Sequence, residues 1–385
     1  MTGRRFLPSA LVLLLGISAA CSDSSGPGEA ASLTAVSGGD DHACLLLASG
    51  ALHCWGWGGL GQLGPGDTLD YNVPIKVTGS LRFKAVSAGS AHTCALTDNG
   101  TAYCWGGNAV GALGDPAAVF KSTVPVKVTG GIRFRNISSG TGRTCGVSLN
   151  GTGYCWGSGD VGELGNGTFD DEFAPVPVSG SLQFSQISTS LLHTCGVTPS
   201  GAAYCWGNNL YGGLGDGTVD GSTTPVPVLG GIRFASIGTG NYFSCGLTEI
   251  GQVYCWGSNV SFELGNGSSS TVFVTEPVAL FGFLRFERIA VGSYHSCGLT
   301  TTRDLYCWGA NTYGKLGNGL ENATTIPVQV TGDHNFTDVT GGDNHTCALT
   351  RSEAFCWGWN RLGQLGIGSR SSKLEPVRVT QSYLE

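Results

Sequence analysis

Residues Gly89 to Gly114 read GSAHTCALTDNGTAYCWGGNAVGALG, and most of the chain is a rewritten copy of that stretch. Its Cys-Trp pair recurs at Cys54, Cys104, Cys155, Cys205, Cys255, Cys307 and Cys356, about every 50 residues. Each copy adds a Leu-Gly marker (Leu63, Leu113, Leu164, Leu214, Leu264, Leu316, Leu365) and a Pro-Val or Pro-Ile step (Pro74, Pro125, Pro175, Pro225, Pro277, Pro327, Pro376). The segments between the markers are short and rich in β-branched and aromatic residues. In the second copy Phe83–Ser87, His92–Thr97, Thr101–Trp105 and Val124–Thr129 read as strands bounded by Gly, Asn and Asp. No copy holds an amphipathic run of helical length. Four short antiparallel strands repeated seven times suit a radial ring of sheets packed face to face, so the expected fold is an all-β, seven-bladed β-propeller over residues 33–385.

The ends of the chain bear on closure. Leu33–Ser37 reads as a strand without the Pro-Val strand that precedes its counterparts, and Pro376–Thr380 reads as that strand, so the two ends are expected to meet. Val128-Thr129-Gly130-Gly131-Ile132 is compatible with a hairpin or with a crossover between blades, at ~3.3 Å per residue.

Fifteen cysteines divide into Cys21 and seven pairs: Cys44/Cys54, Cys94/Cys104, Cys145/Cys155, Cys195/Cys205, Cys245/Cys255, Cys297/Cys307 and Cys347/Cys356. Setting Cys94 opposite Cys104 leaves Asp98-Asn99-Gly100 as a hairpin loop with glycine at the left-handed position. The seventh copy lacks one residue between its cysteines, yet a two-residue loop at Arg351-Ser352 still sets Cys347 opposite Cys356. Directly opposed strand residues lie within disulfide reach. Zinc sites usually show closer cysteine knuckles, so seven cross-strand disulfides are expected and no metal.

Arg4 and Arg5 precede an apolar run, Phe6 to Ala20, that reads as an export signal over residues 1–20. Ser18-Ala19-Ala20-Cys21 resembles a bacterial lipoprotein signal, which would make Cys21 the lipidated first residue and residues 21–32 a flexible tether. The expected location is the cell envelope or the exterior, with membrane contact through the anchor alone. The net charge of −7 becomes more acidic once Arg4 and Arg5 are removed, which disfavours nucleic acid. Oxidising export also matches the paired cysteines.

Strand alternation sends His92, Cys94 and Leu96 to one face of a blade and Thr93, Ala95, Tyr103 and Trp105 to the other. Both faces should be covered by neighbouring blades, so the seven tryptophans and the histidines at 42, 92, 193, 295 and 345 are expected in the core. A buried imidazole hydrogen-bonded to backbone is the expectation for the latter.

The run Gly-x-x-His-[Thr/Ser]-Cys-[Ala/Gly]-Leu, then Gly-x-x-Tyr-Cys-Trp-Gly, Leu-Gly-[Asn/Asp]-Gly and Pro-x-x-Val resembles the repeats of the regulator-of-chromosome-condensation family, from Leu33 to about Thr380. That resemblance implies a seven-bladed propeller. The family normally has aliphatic residues or Ser where this chain has both cysteines, a departure matching an exported, oxidised bacterial member. Activities in the family range over nucleotide exchange, light reception and enzyme inhibition, and fold does not choose among them. Guanine nucleotide exchange on a cytoplasmic GTPase conflicts with the export signal.

Function is sought in the segments between the Leu-Gly marker and the Pro. They carry Tyr71, Phe120, Phe169, Phe173 and Phe273 beside Asp170, Asp171 and Glu172, a composition that suits a protein-binding face. Loops that vary freely, with some aromatics folded inward, would produce the same pattern. Asp216 to Gly221 resembles a calcium loop only in part and reads as a turn. No Ser/His/Asp constellation or phosphate loop is recognisable, so no catalytic residue and no cofactor are expected. The expected function is a monomeric, membrane-tethered scaffold binding an unidentified protein partner. A secreted enzyme inhibitor and a polymer-acting hydrolase or lyase are the alternatives.

Overall fold

The computed structural model describes residues 32–118, 120–382 and 384. The expected export signal, Cys21 and nearly all of the tether lie outside the described residues. The rest forms seven antiparallel sheets of four consecutive strands each, a seven-bladed β-propeller. In the first blade the strands Leu33–Gly38, His42–Leu47, Leu52–Gly56 and Tyr71–Lys76 run in that order from the central channel to the rim. The second blade repeats this with Phe83–Ala88, His92–Thr97, Ala102–Gly107 and Lys121–Lys127.

The rim strand begins earlier than the sequence suggested. The rim strand bulges over residues 123–125 opposite Trp105, which lets Ser122 pair with Gly106 before Pro125 is reached. Proline on this strand has no N–H to donate, which a rim strand tolerates and which discourages pairing with another molecule. Val128 lies beyond the strand end and is buried.

Each Pro-Val strand is thus the rim strand of its own blade, and the chain crosses from there to the inner strand of the next. The last strand, Lys373–Arg378, therefore completes the seventh blade instead of supplying a strand ahead of Leu33. The two ends meet by packing rather than by exchanging strands. Leu33, Val36, Leu45 and Trp55 share a core with Leu349, Leu365, Val379 and Leu384. Gly38 N also donates to Thr340 Oγ1 at 2.9 Å.

Every blade pair encloses such a core. Between the second and third blades it contains Leu96, Leu113, Phe134 and Trp156 together with Cys94 and Cys104. The seven expected disulfides are all present, with Cα separations of 4.0–4.1 Å and every sulfur pair buried. They are packing elements of the inter-blade cores as well as cross-links. Gly100, at φ 83°, closes the second-blade hairpin as its turn requires. Seven buried disulfides call for an oxidising environment outside the cytoplasm.

Candidate binding surface

The recurring histidines and tryptophans form latches between blades. His92 Nε2 meets Thr144 Oγ1 of the third blade at 2.8 Å, and Thr144 Oγ1 donates to Ala112 O, back in the second blade. Trp156 Nε1 donates to the same carbonyl at 2.9 Å. The pattern recurs where His193 meets Ser244 and Trp256 Nε1 donates to Gly213 O. For His42, His92, His193 and His295 the imidazole partner is therefore a hydroxyl of the next blade rather than the backbone expected from sequence, whereas Ala43 offers His345 no hydroxyl and its interaction is with the backbone of Asp40. Burial holds these rings neutral, with His92 lowered to about 4 and His193 to about 3. They are structural groups with no access to a substrate.

Two blades replace the histidine. Arg143 is fully buried and donates to Glu163 Oε1 at 2.8 Å, to Thr189 Oγ1 and to Ser190 O. In the fifth blade Phe243 stands at that position, and the counterpart of Glu163 is Glu263. Its Oε2 accepts Ser261 N at 2.8 Å, no cation among the described residues pairs with it, and burial raises its pKa.

The ring has two chemically different ends. At the mouth end, turns from inner to second strands surround the channel, lined by small residues such as Gly39, Gly89, Gly140, Ser190, Gly240 and Gly292. A side chain on Gly89 would place its Cβ 2.6 Å from Gly140 O, so glycine is required where adjacent turns touch. Asp40 and Asp41 from the first blade lie beside Asp343 from the seventh. Burial, followed by the charge of Asp343, raises Asp40 to about 7 and Asp41 to about 6. Among the described residues no group of three or more His, Cys, Asp or Glu side chains could hold a metal ion.

The loops joining third to fourth strands leave from this same end, since Trp57 N donates to Asp41 O at 2.9 Å and Ser158 N to Gly142 O at 3.0 Å. Of the residues singled out from sequence, Phe120, Phe169, Asp170 and Asp171 are exposed, as is Phe173 at the start of its rim strand. Phe120, Phe169 and Phe173 are dispersed, and none has an aromatic neighbour among the described residues. Tyr71 is partly buried and donates its phenol to Asp67 Oδ2 at 2.8 Å. Asp171 Oδ1 accepts Gly159 N at 3.0 Å and closes its own loop, as Asp70 does for Gly58 in the first blade. Glu172 accepts from Asn166 Nδ2 at 3.4 Å.

Phe273 is the one brought into a cluster. Its ring lies 6.4 Å from Tyr211, which is 5.1 Å from Tyr242, which is 6.5 Å from Tyr294. This aromatic chain crosses the fourth to sixth blades. Leu210 and Val260 are exposed in the same loops, and Tyr313 stacks near Trp359 at 6.1 Å one blade further on. Sequence reading missed Tyr242 and Tyr294 because they occupy the variable spacer of Gly-x-x-His. The corresponding residues are Asp41, Ala91, Gly142, Leu192 and Asn344, and that variation was the available signal.

The RCC1-like domain model matches residues 18–285, and the regulator of chromosome condensation (RCC1) repeat model matches residues 304–349 and 352–383. The Ultraviolet-B receptor UVR8 of Arabidopsis thaliana is 32% identical over 83 residues, 21% of this chain and 19% of that receptor. The fold is shared with Prp20p of Saccharomyces cerevisiae, at TM-score 0.77 and 22% identity over 91% of this chain and 88% of that one. It is also shared with the ectodomain of the Arabidopsis thaliana receptor kinase ACR4, at TM-score 0.56 and 17% identity over 91% of this chain and 100% of that one. With the fold, the repeat and the family model in agreement, the chain belongs to the RCC1-like domain family.

Proposed function

We propose that this chain is an extracytoplasmic scaffold that binds another protein through its mouth end, without catalysing a reaction. The observation that carries this reading is the chain of half-exposed aromatics Tyr294, Tyr242, Tyr211 and Phe273, bordered by exposed aliphatic residues. Such rigid amphipathic side chains supply contact area at low entropic cost and are frequent anchors of protein interfaces. The same fold serves as a receptor-kinase ectodomain in ACR4, and Prp20p was described together with its binding to Gsp1p and histones. In this reading Arg4, Arg5 and the run to Ala20 direct export, and Cys21 carries the anchor. A secreted enzyme inhibitor would use the same surface without the anchor.

The test is affinity capture from an envelope fraction, comparing the native chain with Tyr242→Ser/Tyr294→Ser. A protein retained by the first and lost with the second supports the reading; identical captures from both would remove it. Cleavage of a polymer at the channel mouth is the second reading, favoured by the carboxyl trio Asp40, Asp41 and Asp343. It requires turnover of an envelope polysaccharide that Asp40→Asn abolishes.

A further inference from the structure

The opposite end of the ring carries a surface that protein binding at the mouth leaves unused. Here the hairpins between second and third strands and the blade-to-blade crossovers meet. The crossover from the fifth to the sixth blade reads Leu280-Phe281-Gly282-Phe283-Leu284-Arg285, where that from the second to the third reads Val128-Thr129-Gly130-Gly131-Ile132-Arg133. Two phenylalanines replace a threonine and a glycine at the tip. Phe283 is 96% exposed and Phe281 55%. Ile250, 69% exposed, tops the neighbouring hairpin, whose Gly251 would bring a Cβ within 3.3 Å of Arg285 Cβ. Nothing approaches within 4 Å of a side chain placed on Gly282, whereas one on Gly267 would meet the Phe281 ring at 2.7 Å, so Phe283 projects from the tip while Phe281 lies along its base.

Cations recur around this end of the ring, with Arg285 in the tip's own crossover and Arg233 in the one before it. Arg82, Arg133, Arg233 and Arg285 occupy the last position of four crossovers, and all are exposed. Arg133 and Arg233 donate to the hairpin carbonyls of Asn99 and Ser200 at 3.1 and 3.0 Å. None of the four is in an ion pair among the described residues. Glu276 and Glu287 are the carboxylates nearest to the tip in sequence, and Glu249 stands in the neighbouring hairpin. Elsewhere around this end the hairpins and crossovers also hold Asp98, Asp304, Asp333 and Glu353, while the mouth-end loops carry Asp40, Asp41, Asp170, Asp171 and Asp343. The chain also enters the ring here, since Ser32 O accepts Ala48 N of the first-blade hairpin at 2.8 Å.

We propose that the crossover end rests on a phospholipid bilayer, with Phe281 and Phe283 in the interface and the arginines on headgroup phosphates. An apolar patch of this kind marks an interaction site. A protein anchor sits in a recess that excludes water, whereas two exposed rings at a crossover tip flanked by guanidinium groups fit an interfacial wedge. Guanidinium is also the side chain best matched to phosphate. The contact acts beside any acyl anchor and does not depend on it. It turns the mouth end, with its aromatic chain, away from the membrane.

The test is co-sedimentation of the exported chain carrying Cys21→Ser, which no acyl group can anchor. The vesicles are phosphatidylcholine mixed with phosphatidylglycerol, or phosphatidylcholine alone. Binding to the mixed vesicles is expected, weakened by salt through screening of the arginines. Phe281→Ser/Phe283→Ser in the same background should lower it at least about tenfold, with an unchanged melting temperature because both rings are exposed. Absence of binding to either vesicle overturns the proposal, as does equal sedimentation of the two chains. If the double substitution instead removed a captured protein and left vesicle binding intact, the surface would belong to a protein. Capture through Tyr242 and Tyr294 is read at the other end, so either result can fail alone.

Discussion

The mouth end and the crossover end of this ring are built on one backbone plan and share almost no surface chemistry. The mouth end has carboxylates around the channel and tyrosines across the fourth to sixth blades. The crossover end has exposed arginines and a phenylalanine tip. The repeat fixes what faces a neighbouring blade, because each tryptophan, leucine and cystine must fit a partner surface. What leaves the blade is released from that constraint, so chemistry accumulates on the connections. A shared frame with two independent ends makes distinct demands on substitutions in each.

The largest effect should come from breaking the frame, which both ends need. Trp206 is fully buried and donates to Glu163 O at 2.9 Å. Trp206→Ala is expected to cost about 3–5 kcal/mol through the cavity it leaves, seen as a lower denaturant midpoint, with function lost at both ends together. Loss at one end alone would mean that the ends do not depend on a common frame.

Nearly as large is the effect of unpairing the third blade's buried ions. Arg143→Ala leaves Glu163 buried without its cation, holding only the Ser158 hydroxyl and the Val161 N–H, and should cost about 3–5 kcal/mol. The fifth blade provides the control: Glu263 already lacks a cation, so Glu263→Gln should be close to neutral or slightly stabilising. Chemical denaturation of both variants separates a frame that needs the ion pair locally from one that tolerates its absence everywhere.

A smaller effect is expected from pH. His42, His92, His193 and His345 have folded values of about 3 to 4, below the ordinary 6.5. Their stabilising contribution is complete above pH 6.5 and is lost as pH falls from there towards 4. Asp40 and Asp41 are raised from 3.8 to about 7 and 6, so the fold binds their protons more tightly than the unfolded chain, and the stability they contribute is complete below pH 3.8 and lost as pH rises from there to about 7. Melting temperature should peak near pH 6.5. Asp40→Asn should remove the decline between pH 6.5 and 7 and steepen the fall from pH 6.5 to 4, where the raised carboxyl opposes the histidines, which melts from pH 8 to pH 4 would reveal.

Much of this frame was readable from the repeat. Strand alternation placed His92 and Trp105 on opposite blade faces, and hairpin register paired all seven cystines, including Cys347 with Cys356 across the shortened loop. These succeeded because they depend on local periodicity alone. The latch partner of each histidine was not readable, since Thr144 lies 52 residues from His92 and only the radial stacking brings them together. For the same reason the chain from Tyr211 to Tyr294, assembled from three blades, left no contiguous signal. Phe283 escaped notice because crossovers were weighed for closure rather than for exposure. Asp171 looked like part of a binding loop and has one oxygen engaged in holding that loop shut.

Hydrogen–deuterium exchange of the chain with and without its captured partner tests the central claim most directly. Binding at the mouth end predicts slowed exchange at residues 190–192, 241–242 and 293–294 and in the loops 208–221 and 258–273, with the crossovers 228–233 and 280–285 unchanged. Protection confined to those crossovers, or spread evenly over both ends, would contradict the assignment of protein binding to the mouth.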